Sequence, residues 1–384
     1  MIRADRQPSI LVNINGNVPE WRSCFAPTGE APRLPLPFAF GAALAGQGIA
    51  LAAFDTSGKP APDDIAPFDC YFNRREFDAA RASADFVVLW GTRGVKSCLG
   101  EVATPRLDRK GVLFSYGWRP MGRTALARSG ILALTRQAAR FARCVVLMTQ
   151  QQVAAARSDL PTKVPVAQLR VGIDTRYYAR PSTEADVPEE HRVTVQKLLQ
   201  EPYVILPGDE LRLNDDALEV IRATGLRLVR ISQYGHKSGT NLLREEVARR
   251  GLSEHIFVFE RISYAFLRFL LQHASAYAGF VDASWQPAGW TVACECLASG
   301  LPLVLYDGFT ARELAHQGLQ QQLMRVVALG DRASFGRELM ALAETGRSGE
   351  QALNARSFAS RALDVEVTAP EFARNLVTAL GIAT

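Results

Sequence analysis

Several patterns that mark common protein classes are missing from this sequence. It has no run of about 18 apolar residues, the length that a membrane-spanning helix needs, and its first residues predict a strand rather than a signal peptide. Its six cysteines form no Cys-x-x-Cys pair, which argues against a structural zinc site or a disulfide framework. No Gly-x-Ser-x-Gly or His-Glu-x-x-His motif occurs, which argues against the common hydrolases and zinc peptidases. These absences lead us to expect a cytoplasmic protein with free thiols.

Negative charge is scarce in the first part of the chain. Residues 1–170 contain 22 Lys and Arg against 13 Asp and Glu, whereas residues 171–384 contain 22 against 26. The basic first part suits a phosphate-bearing ligand or a membrane surface, and ordinary solvated charge is the alternative. The arginine-rich helical stretch 122–143 is a candidate for peripheral contact with the inner face of a membrane, and a solvated basic face is the alternative. We expect no nucleic-acid partner.

The length of 384 residues suits two α/β domains better than one core. Short, nearly continuous apolar runs alternate with helical patterns in both halves, which predicts doubly wound parallel sheets. The predicted strands are 10–13, 49–54, 86–90, 112–116, 144–149 and 166–170 in the first half, and 203–206, 226–231, 256–260, 276–281, 303–306 and 324–329 in the second. The predicted units are a first domain at 1–174, a polar linker at 175–190, a second domain at 191–362, and a terminal helix at 363–384 that is a candidate to pack on the first domain.

One loop and the helix after it carry the most chemistry. A strand ends near Val281, and a helix begins near Trp290 and Thr291 directly after Gly289. Glycine lets a ligand approach the backbone, and the free N–H groups and positive dipole end of a helix bind anions. Glu295 lies deeper in the helix, where its carboxylate can accept hydrogen bonds from two neighbouring hydroxyls. An anion together with a diol is what a sugar nucleotide presents.

The stretch Phe280–Leu305 resembles the donor-site signature of retaining GT-B glycosyltransferases of the group one, or family 4-like, type. Its second half, from Glu295 to Val304, matches that signature closely, Arg170–Tyr178 is similar to the family's interdomain crossing, and Ile262–Leu267 is similar to the segment beside the nucleobase. The resemblance implies the GT-B fold, in which two Rossmann-like, doubly wound domains face each other across a cleft. It implies that Glu295 binds the donor ribose. The donor-site candidates in this stretch are Ser284, Gln286, Gly289, Trp290, Thr291 and Glu295.

The chain departs from the family where the donor diphosphate binds. Pro287 stands where the family has its first acidic residue, and Asp209 and Asn214 stand where it has an arginine and a lysine. The diphosphate still needs partners, because unpaired charge away from water costs several kcal/mol. The loops after the second-half strands offer Gly208, Arg212, Lys237 and Arg261. Retaining members often carry a histidine in the first domain, and all five histidines here lie beyond residue 190, so no catalytic residue is assigned.

Two loops of the first domain are candidates for the acceptor side. Arg93 and Lys96 lie in a basic, glycine-bearing loop after a predicted strand, whose spacing is not that of a Walker A motif but which suits an acceptor phosphate. Tyr116 and Trp118 follow another strand and are candidates to stack on an acceptor sugar. An ordinary turn and packing in the core are the respective alternatives.

Together these features predict an enzyme that moves a sugar, with retention, from a nucleotide-sugar donor to a glycan or lipid-linked glycan in polysaccharide biosynthesis. Positioning and electrostatics should supply most of the rate effect, with the helix end at Trp290–Thr291 as the main stabiliser of the leaving diphosphate. We expect no cofactor and no metal. The alternatives are a sugar-nucleotide epimerase of the same fold, and a non-catalytic GT-B protein that acts as a binding or partner subunit.

Overall fold

The computed structural model describes residues 7–14, 21–22, 29–55, 63–90, 110–115, 118, 125–208, 215–232, 237–280, 288–346 and 348–382. These residues form two separate parallel sheets with helices between the strands. The predicted fold class, α/β with two doubly wound units, is confirmed. No helix among the described residues is long and apolar enough to cross a membrane.

The first sheet has seven parallel strands among the described residues, in the order β3-β2-β1-β4-β5-β6-β7. Both of its faces are buried, since Ile10 and Val12 belong to one apolar cluster and Leu11 to another. Burial on both faces explains the nearly continuous apolar strands. The strands are β1 Ser9–Asn13, β2 Ala50–Asp55, β3 Cys70–Asn73, β4 Phe86–Trp90, β5 Gly111–Ser115, β6 Cys144–Leu147 and β7 Val166–Gln168; the helices are α1 Pro35–Phe40, α2 Ala42–Ala45, α3 Phe77–Ser83, α4 Ala125–Phe141 and α5 Gln150–Asp159.

The second sheet has six parallel strands among the described residues, in the order β10-β9-β8-β11-β12-β13. Its strand order reverses between β8 and β11, and ligands of doubly wound sheets bind beyond the carboxyl ends of strands at such a point. The strands are β8 Tyr203–Gly208, β9 Arg227–Ser232, β10 Ile256–Glu260, β11 Ala276–Gly279, β12 Leu303–Tyr306 and β13 Met324–Val327. The helices from the crossing onward are α6 Thr175–Ala179, α7 Arg192–Leu198, α8 Asp215–Thr224, α9 Lys237–Arg249, α10 Tyr264–His273, α11 Trp290–Ala298, α12 Phe309–His316, α13 Arg332–Thr345, α14 Gly349–Ala362 and α15 Val365–Leu380.

The chain crosses between the two sheets twice, and the two crossings lie side by side. Ile173 of the first crossing forms a parallel bridge with Asp364 of the second. The Ile173 N–H donates to the Leu363 carbonyl at 2.7 Å, and the Val365 N–H donates to the Ile173 carbonyl at 2.8 Å. The Asp364 carboxylate also accepts hydrogen bonds from the backbone N–H and the hydroxyl of Thr175. The crossings therefore form one hydrogen-bonded unit.

Helix α15, which follows the second crossing, packs against the first sheet's helices and strands. Phe372 of α15 meets Phe40 of α1 edge to face, with ring centroids 5.1 Å apart. Arg143, just before β6, donates to the carbonyl of Leu380 at the end of α15. The residues of α15 that pack against the first sheet are thus separated from that sheet in sequence by the whole second sheet.

Two segments differ from what the sequence predicts. Strand β3 was not predicted, because its four residues are short, half-exposed and at the sheet edge, where no continuous apolar run is needed. The predicted polar linker 175–190 is folded: it begins with α6, and Tyr177 and Tyr178 are buried. Gln272 holds this segment by donating to the carbonyls of Tyr178 and Arg180 at 2.8 and 2.7 Å. The two aromatic rings supply the apolar surface that a solvated linker lacks.

Candidate functional site

Helix α11 begins at the carboxyl edge of the second sheet, where the sequence predicts an anion-binding helix end. Gly289 precedes it in the left-handed conformation, with φ of 77°. A Cβ atom there would lie 3.0 Å from the hydroxyl oxygen of Tyr277, so both the angle and the space call for glycine. No side chain among the described residues caps this helix end. Its N–H groups are a suitable binding place for an anion.

Glu295, in the second turn of α11, meets a tyrosine from the interdomain crossing. The Tyr178 hydroxyl donates to Glu295 Oε1 at 2.7 Å. Burial, and then the neighbouring Glu295 carboxylate, raise the pKa of Tyr178 well above its ordinary value, so the phenol stays protonated and donates. Glu295 itself is half-buried. Its carboxylate is therefore held at a fixed place without being enclosed.

A cavity of about 330 Å³ opens beside Glu295, between the two halves of the molecule. Its first-half wall includes the proline-rich segment Pro32–Pro37 and Met148, and its second-half wall includes Tyr264, Thr291 and Glu295. The lining residues are Pro32, Arg33, Leu34, Pro35, Leu36, Pro37, Met148, Val171, Ile173, Asp174, Tyr178, Tyr264, Thr291 and Glu295. Mostly apolar walls with a few polar groups are typical of ligand sites.

Trp290 joins the start of α11 to the interdomain crossing. Its indole N–H donates to the carbonyl of Val171 at 2.6 Å, and its side chain is buried. Thr291, the next residue, is half-buried and lines the cavity. Trp290 therefore orients the helix, while Thr291 is the residue of the first turn that faces the cavity.

Arg33 places a fixed positive charge in the cavity wall. Its guanidinium pairs with Asp174 at 3.2 Å and with Glu366 at 2.7 Å, and it lies over the ring of Phe38 with the central carbon 5.1 Å from the centroid. Burial by itself lowers the pKa of Arg33, but hydrogen bonds to Glu366 and Asp174 outweigh it and raise the pKa above its ordinary value. Asp174 also caps α6 by accepting from the N–H of Tyr177 at 3.2 Å. One network thus fixes Pro32–Pro37 to both crossings.

A buried arginine lies at the carboxyl edge of the second sheet. Arg230 of β9 is 0% exposed, and its Nη1 donates to the carbonyls of Leu206 and Gly208 at 3.2 and 2.8 Å, and to that of Ile231. Gly208 ends β8 with φ of 134°, a region that favours glycine. The guanidinium therefore fixes the strand end from which the predicted diphosphate loop departs.

The structure brings part of the predicted donor site together. Glu295 and Thr291 line one cavity, and Gly289 and Trp290 form the helix start next to it. Gly208 and Arg261 lie at strand ends outside the cavity lining; Arg261 is exposed and has φ of 47°. The candidates Ser284, Gln286 and Arg212 lie outside the described residues.

The structure places Lys237 and Trp118 differently from the sequence-based prediction. Lys237 was placed in a loop, but it is the first residue of α9, and its side chain lies outside the described part of the structure. Trp118 was a candidate to stack on an acceptor sugar, but it is 1% exposed and its indole N–H donates to Asp159 Oδ2 at 2.9 Å. Packing under α4 and α5 leaves it no open ring face. The remaining acceptor-side candidates, Arg93, Lys96 and Tyr116, lie outside the described residues.

Sequence reasoning did not assign a role to Tyr178 or Arg33. Tyr178 ends the stretch from Arg170 that resembles the family's crossing, but nothing in a sequence shows that its hydroxyl faces Glu295. Arg33 precedes a run of prolines and leucines, and its partners lie 141 and 333 residues away. Among the described residues, no group of three or more His, Cys, Asp or Glu is placed to hold a metal ion.

Two facing, doubly wound parallel sheets, crossed twice by the chain and with a cavity between them, define the GT-B fold, and this prediction is confirmed. Solved structures of the same fold cover nearly the whole chain. Sucrose-phosphate synthase from Thermosynechococcus elongatus superposes with a TM-score of 0.71 at 14% identity, covering 98% of this chain and 100% of that one. HepE from Anabaena in complex with UDP-glucose gives 0.66 at 14% identity, covering 96% and 99%.

A third similar structure is α,α-trehalose 6-phosphate synthase from Burkholderia multivorans, with a TM-score of 0.63 at 13% identity, covering 98% of each chain. No protein-family model matches the sequence. A search of curated proteins finds no significant match. At these identities the likeness describes the fold alone.

Proposed function

We propose that the protein is a glycosyltransferase that uses a nucleotide-sugar donor, with a UDP-linked sugar as the first candidate. The observation that carries the proposal is Glu295, which accepts from Tyr178 at 2.7 Å in the second turn of α11, beside an interdomain cavity. The choice of UDP is supported by HepE, a protein of this fold whose structures contain UDP and UDP-glucose.

In the proposed donor site, two features of α11 bind different parts of the nucleotide. Glu295 accepts hydrogen bonds from the ribose hydroxyls, and the helix start at Gly289 and Trp290 faces the diphosphate. The helix dipole contributes only about 0.3–1 kcal/mol toward an anion, so a cation must also reach the diphosphate. Arg212, Lys237 and Arg261 remain our candidates for that cation, and Ser284 and Gln286 remain candidates in the loop before the helix.

The chemistry we propose is transfer with retention and without a bound metal, as the family resemblance implies. The helix start and the cation would stabilise the diphosphate as it leaves, while the acceptor hydroxyl attacks the same sugar face. Two measurements test this: the anomeric configuration of the product by proton NMR, and the initial rate after treatment with a chelator. An inverted product or a rate abolished by chelation and restored by Mg²⁺ would contradict the respective point.

The experiment that tests the function itself has two stages. Calorimetry with UDP, GDP and ADP shows whether the parent protein binds a nucleoside diphosphate and which base it prefers. Release of UDP from UDP-glucose, with and without added glycan acceptors, then measures transfer. UDP binding without any sugar release supports the non-catalytic alternative, and conversion of the donor sugar to its epimer supports the epimerase. Absence of binding to all three nucleotides contradicts the proposal.

The acceptor side remains a proposal based on the first half. Arg93, Lys96 and Tyr116 are our candidates to bind a glycan or lipid-linked acceptor.

A membrane contact is supported by α4, where Leu134 and Phe141 are 49% and 38% exposed next to the exposed Arg140, as in helices that lie on lipid surfaces. Co-sedimentation with vesicles containing anionic lipid tests this. Equal pelleting of the parent and of Leu134→Ser/Phe141→Ser contradicts the proposed contact.

A further inference from the structure

The proposed function takes the contact between Tyr178 and Glu295 as given and assigns no role to the Tyr178 hydroxyl itself. Tyr178 lies in the last turn of the short crossing helix α6, is 1% exposed, and its hydroxyl reaches Glu295 on α11 at 2.7 Å. The two residues are 117 positions apart in the chain, so their contact joins the interdomain crossing to the donor-side helix. A phenylalanine would keep the buried ring but lose this contact, so the role of the hydroxyl lies in its hydrogen bond to Glu295.

The position of Tyr178 is fixed from both sides. Gln272 on α10 donates to the Tyr178 and Arg180 carbonyls at 2.8 and 2.7 Å and accepts from the N–H of Ser182 at 3.0 Å. The ring of Tyr177 packs edge to face against that of Tyr178, with centroids 5.4 Å apart. A side chain that is fixed in this way can in turn fix the position of the group to which it hydrogen-bonds.

The hydrogen bond between Tyr178 and Glu295 has a fixed donor and a fixed acceptor. An ionised carboxylate only accepts hydrogen bonds, and the buried phenol remains protonated, so Tyr178 donates and Glu295 accepts. A carboxylate has two oxygens and about four acceptor positions, so one phenol does not exclude a diol. Glutamate loses considerable torsional freedom when it is ordered, and a contact made before the ligand arrives reduces the cost of ordering it on binding.

We propose that Tyr178 is a positioning residue that orients the Glu295 carboxylate for the two hydroxyls of a ribose. This inference rests on the proposed function, because it presumes that Glu295 binds the ribose of a nucleotide sugar. Tyr178 acts through Glu295 and does not touch the reacting atoms. Its effect should therefore appear in affinity for the ribose part of the donor and not in the rate of transfer at saturating donor.

The test compares Tyr178→Phe with the matched variant Tyr177→Phe. Tyr177 lies in the same helix and is also buried, but its hydroxyl donates to the Glu30 carbonyl at 3.2 Å, away from Glu295. Calorimetry measures affinity for UDP and for 2′,3′-dideoxy-UDP, which lacks both ribose hydroxyls. We expect Tyr178→Phe to bind UDP about fivefold more weakly and dideoxy-UDP unchanged, and Tyr177→Phe to behave as the parent.

The ratio of the two affinities keeps the test independent of folding, because partial loss of folded protein affects both ligands equally. With UDP-glucose, the donor KM should rise in Tyr178→Phe and kcat should stay at the parental value. A second pair of variants tests the coupling. Tyr178→Phe should weaken UDP binding further in a Glu295→Gln background, where the amide oxygen still accepts, and should change nothing in a Glu295→Ala background.

Failure of this inference can be distinguished from failure of the proposed function. If the parent prefers UDP to dideoxy-UDP and Tyr178→Phe keeps that preference in full, the positioning role is wrong while the donor site stands. If the parent itself binds both ligands equally, Glu295 does not bind ribose, and the proposed donor site and the role of Tyr178 both fail.

Discussion

At the scale of single residues, the Glu295 carboxylate has two tasks that substitution can separate. It accepts from the buried Tyr178 hydroxyl, and we propose that it accepts from a ribose. Glu295→Ala should weaken UDP binding by about 1.5–3 kcal/mol for each charge-assisted hydrogen bond lost. It should also lower the free energy of unfolding by about 1–3 kcal/mol, because the Tyr178 hydroxyl loses this acceptor. Glu295→Gln should keep the stability and lose part of the affinity.

Calorimetry with UDP and thermal melting measure these two effects separately. Glu338→Ala is a suitable control, since this half-exposed carboxylate pairs only loosely with Arg325 at 3.8 Å and does not line the cavity. Unchanged UDP affinity in a folded Glu295→Ala protein would make Glu295 a structural helix residue.

Arg33 allows a second prediction at this scale, on stability. Its side chain and that of Asp174 are 11% and 10% exposed, so Arg33→Ala leaves a largely buried carboxylate without its cation. Breaking a buried pair in this way costs about 3–5 kcal/mol, and we expect a value near the low end because the site borders a cavity. Urea unfolding measures it.

Arg244→Ala provides the contrast, because the Arg244–Glu260 pair is 51% and 30% exposed and such pairs contribute about 0–1 kcal/mol. Equal losses in the two variants would mean that Arg33 does not stabilise the segment Pro32–Pro37 against the crossings.

At the scale of elements, α12 of the second half caps α5 of the first. Glu313 is 2% exposed; it accepts from the N–H of Gln150 at the start of α5 at 3.0 Å and from the side chain of Gln168 at 3.1 Å. Burial lowers the pKa of nearby Arg170, and the Glu313 charge partly opposes this. The contact joins the two halves through α5 and α12, beside the start of the first crossing.

Glu313→Ala should therefore lower the free energy of unfolding by about 1–3 kcal/mol, because buried donors lose their acceptor. It should also loosen the two halves, which small-angle X-ray scattering would show as a larger radius of gyration. The exposed Glu344 on α13 gives the control variant, Glu344→Ala. A stable Glu313→Ala protein of unchanged dimensions would show that this contact does not hold the halves together.

The elements also show what a sequence can and cannot predict. Twelve of the strands were predicted because they carry apolar runs, which most of them need for burial on both faces, while β3, half-exposed at an edge, carries a weaker run. The turn at Gly289 and the place of Glu295 followed from local pattern and resemblance. The contact of Tyr178 with Glu295 could not be predicted, because it depends on how two distant segments meet. Trp118 was misplaced for the same reason, since only packing shows that the ring is covered.

At the scale of the whole molecule, the paired crossings leave no room for a side chain at residue 172. A Cβ atom on Gly172 would lie 2.1 Å from Thr368 Oγ1 and 2.8 Å from the Leu363 carbonyl oxygen. Thr368 can rotate, but the carbonyl belongs to the second crossing. Gly172→Ala should cost about 1–3 kcal/mol through overpacking, and should separate the crossings locally.

Hydrogen exchange at Ile173 and Val365, whose N–H groups bond across the crossings, measures that separation together with a thermal melt. Gly130→Ala is the matched control, since a Cβ atom there meets nothing within 4 Å and alanine favours a helix by about 1 kcal/mol over glycine. If Gly172→Ala melted at the parental temperature and exchanged at Ile173 and Val365 like the parent, the crossings would be more adaptable than their spacing indicates.

The place of α15 has a consequence for how the protein is made. The ring of Phe40 in the first half is covered by Phe372, which the ribosome adds only after the entire second sheet. At about 5–20 residues per second, the 332 residues from Phe40 to Phe372 take roughly 17–66 s to add. During this time the apolar surface of α1 that α15 covers in the folded protein stays uncovered by α15 in the nascent first half. Synthesis order, and not only equilibrium stability, therefore bears on the yield of folded protein.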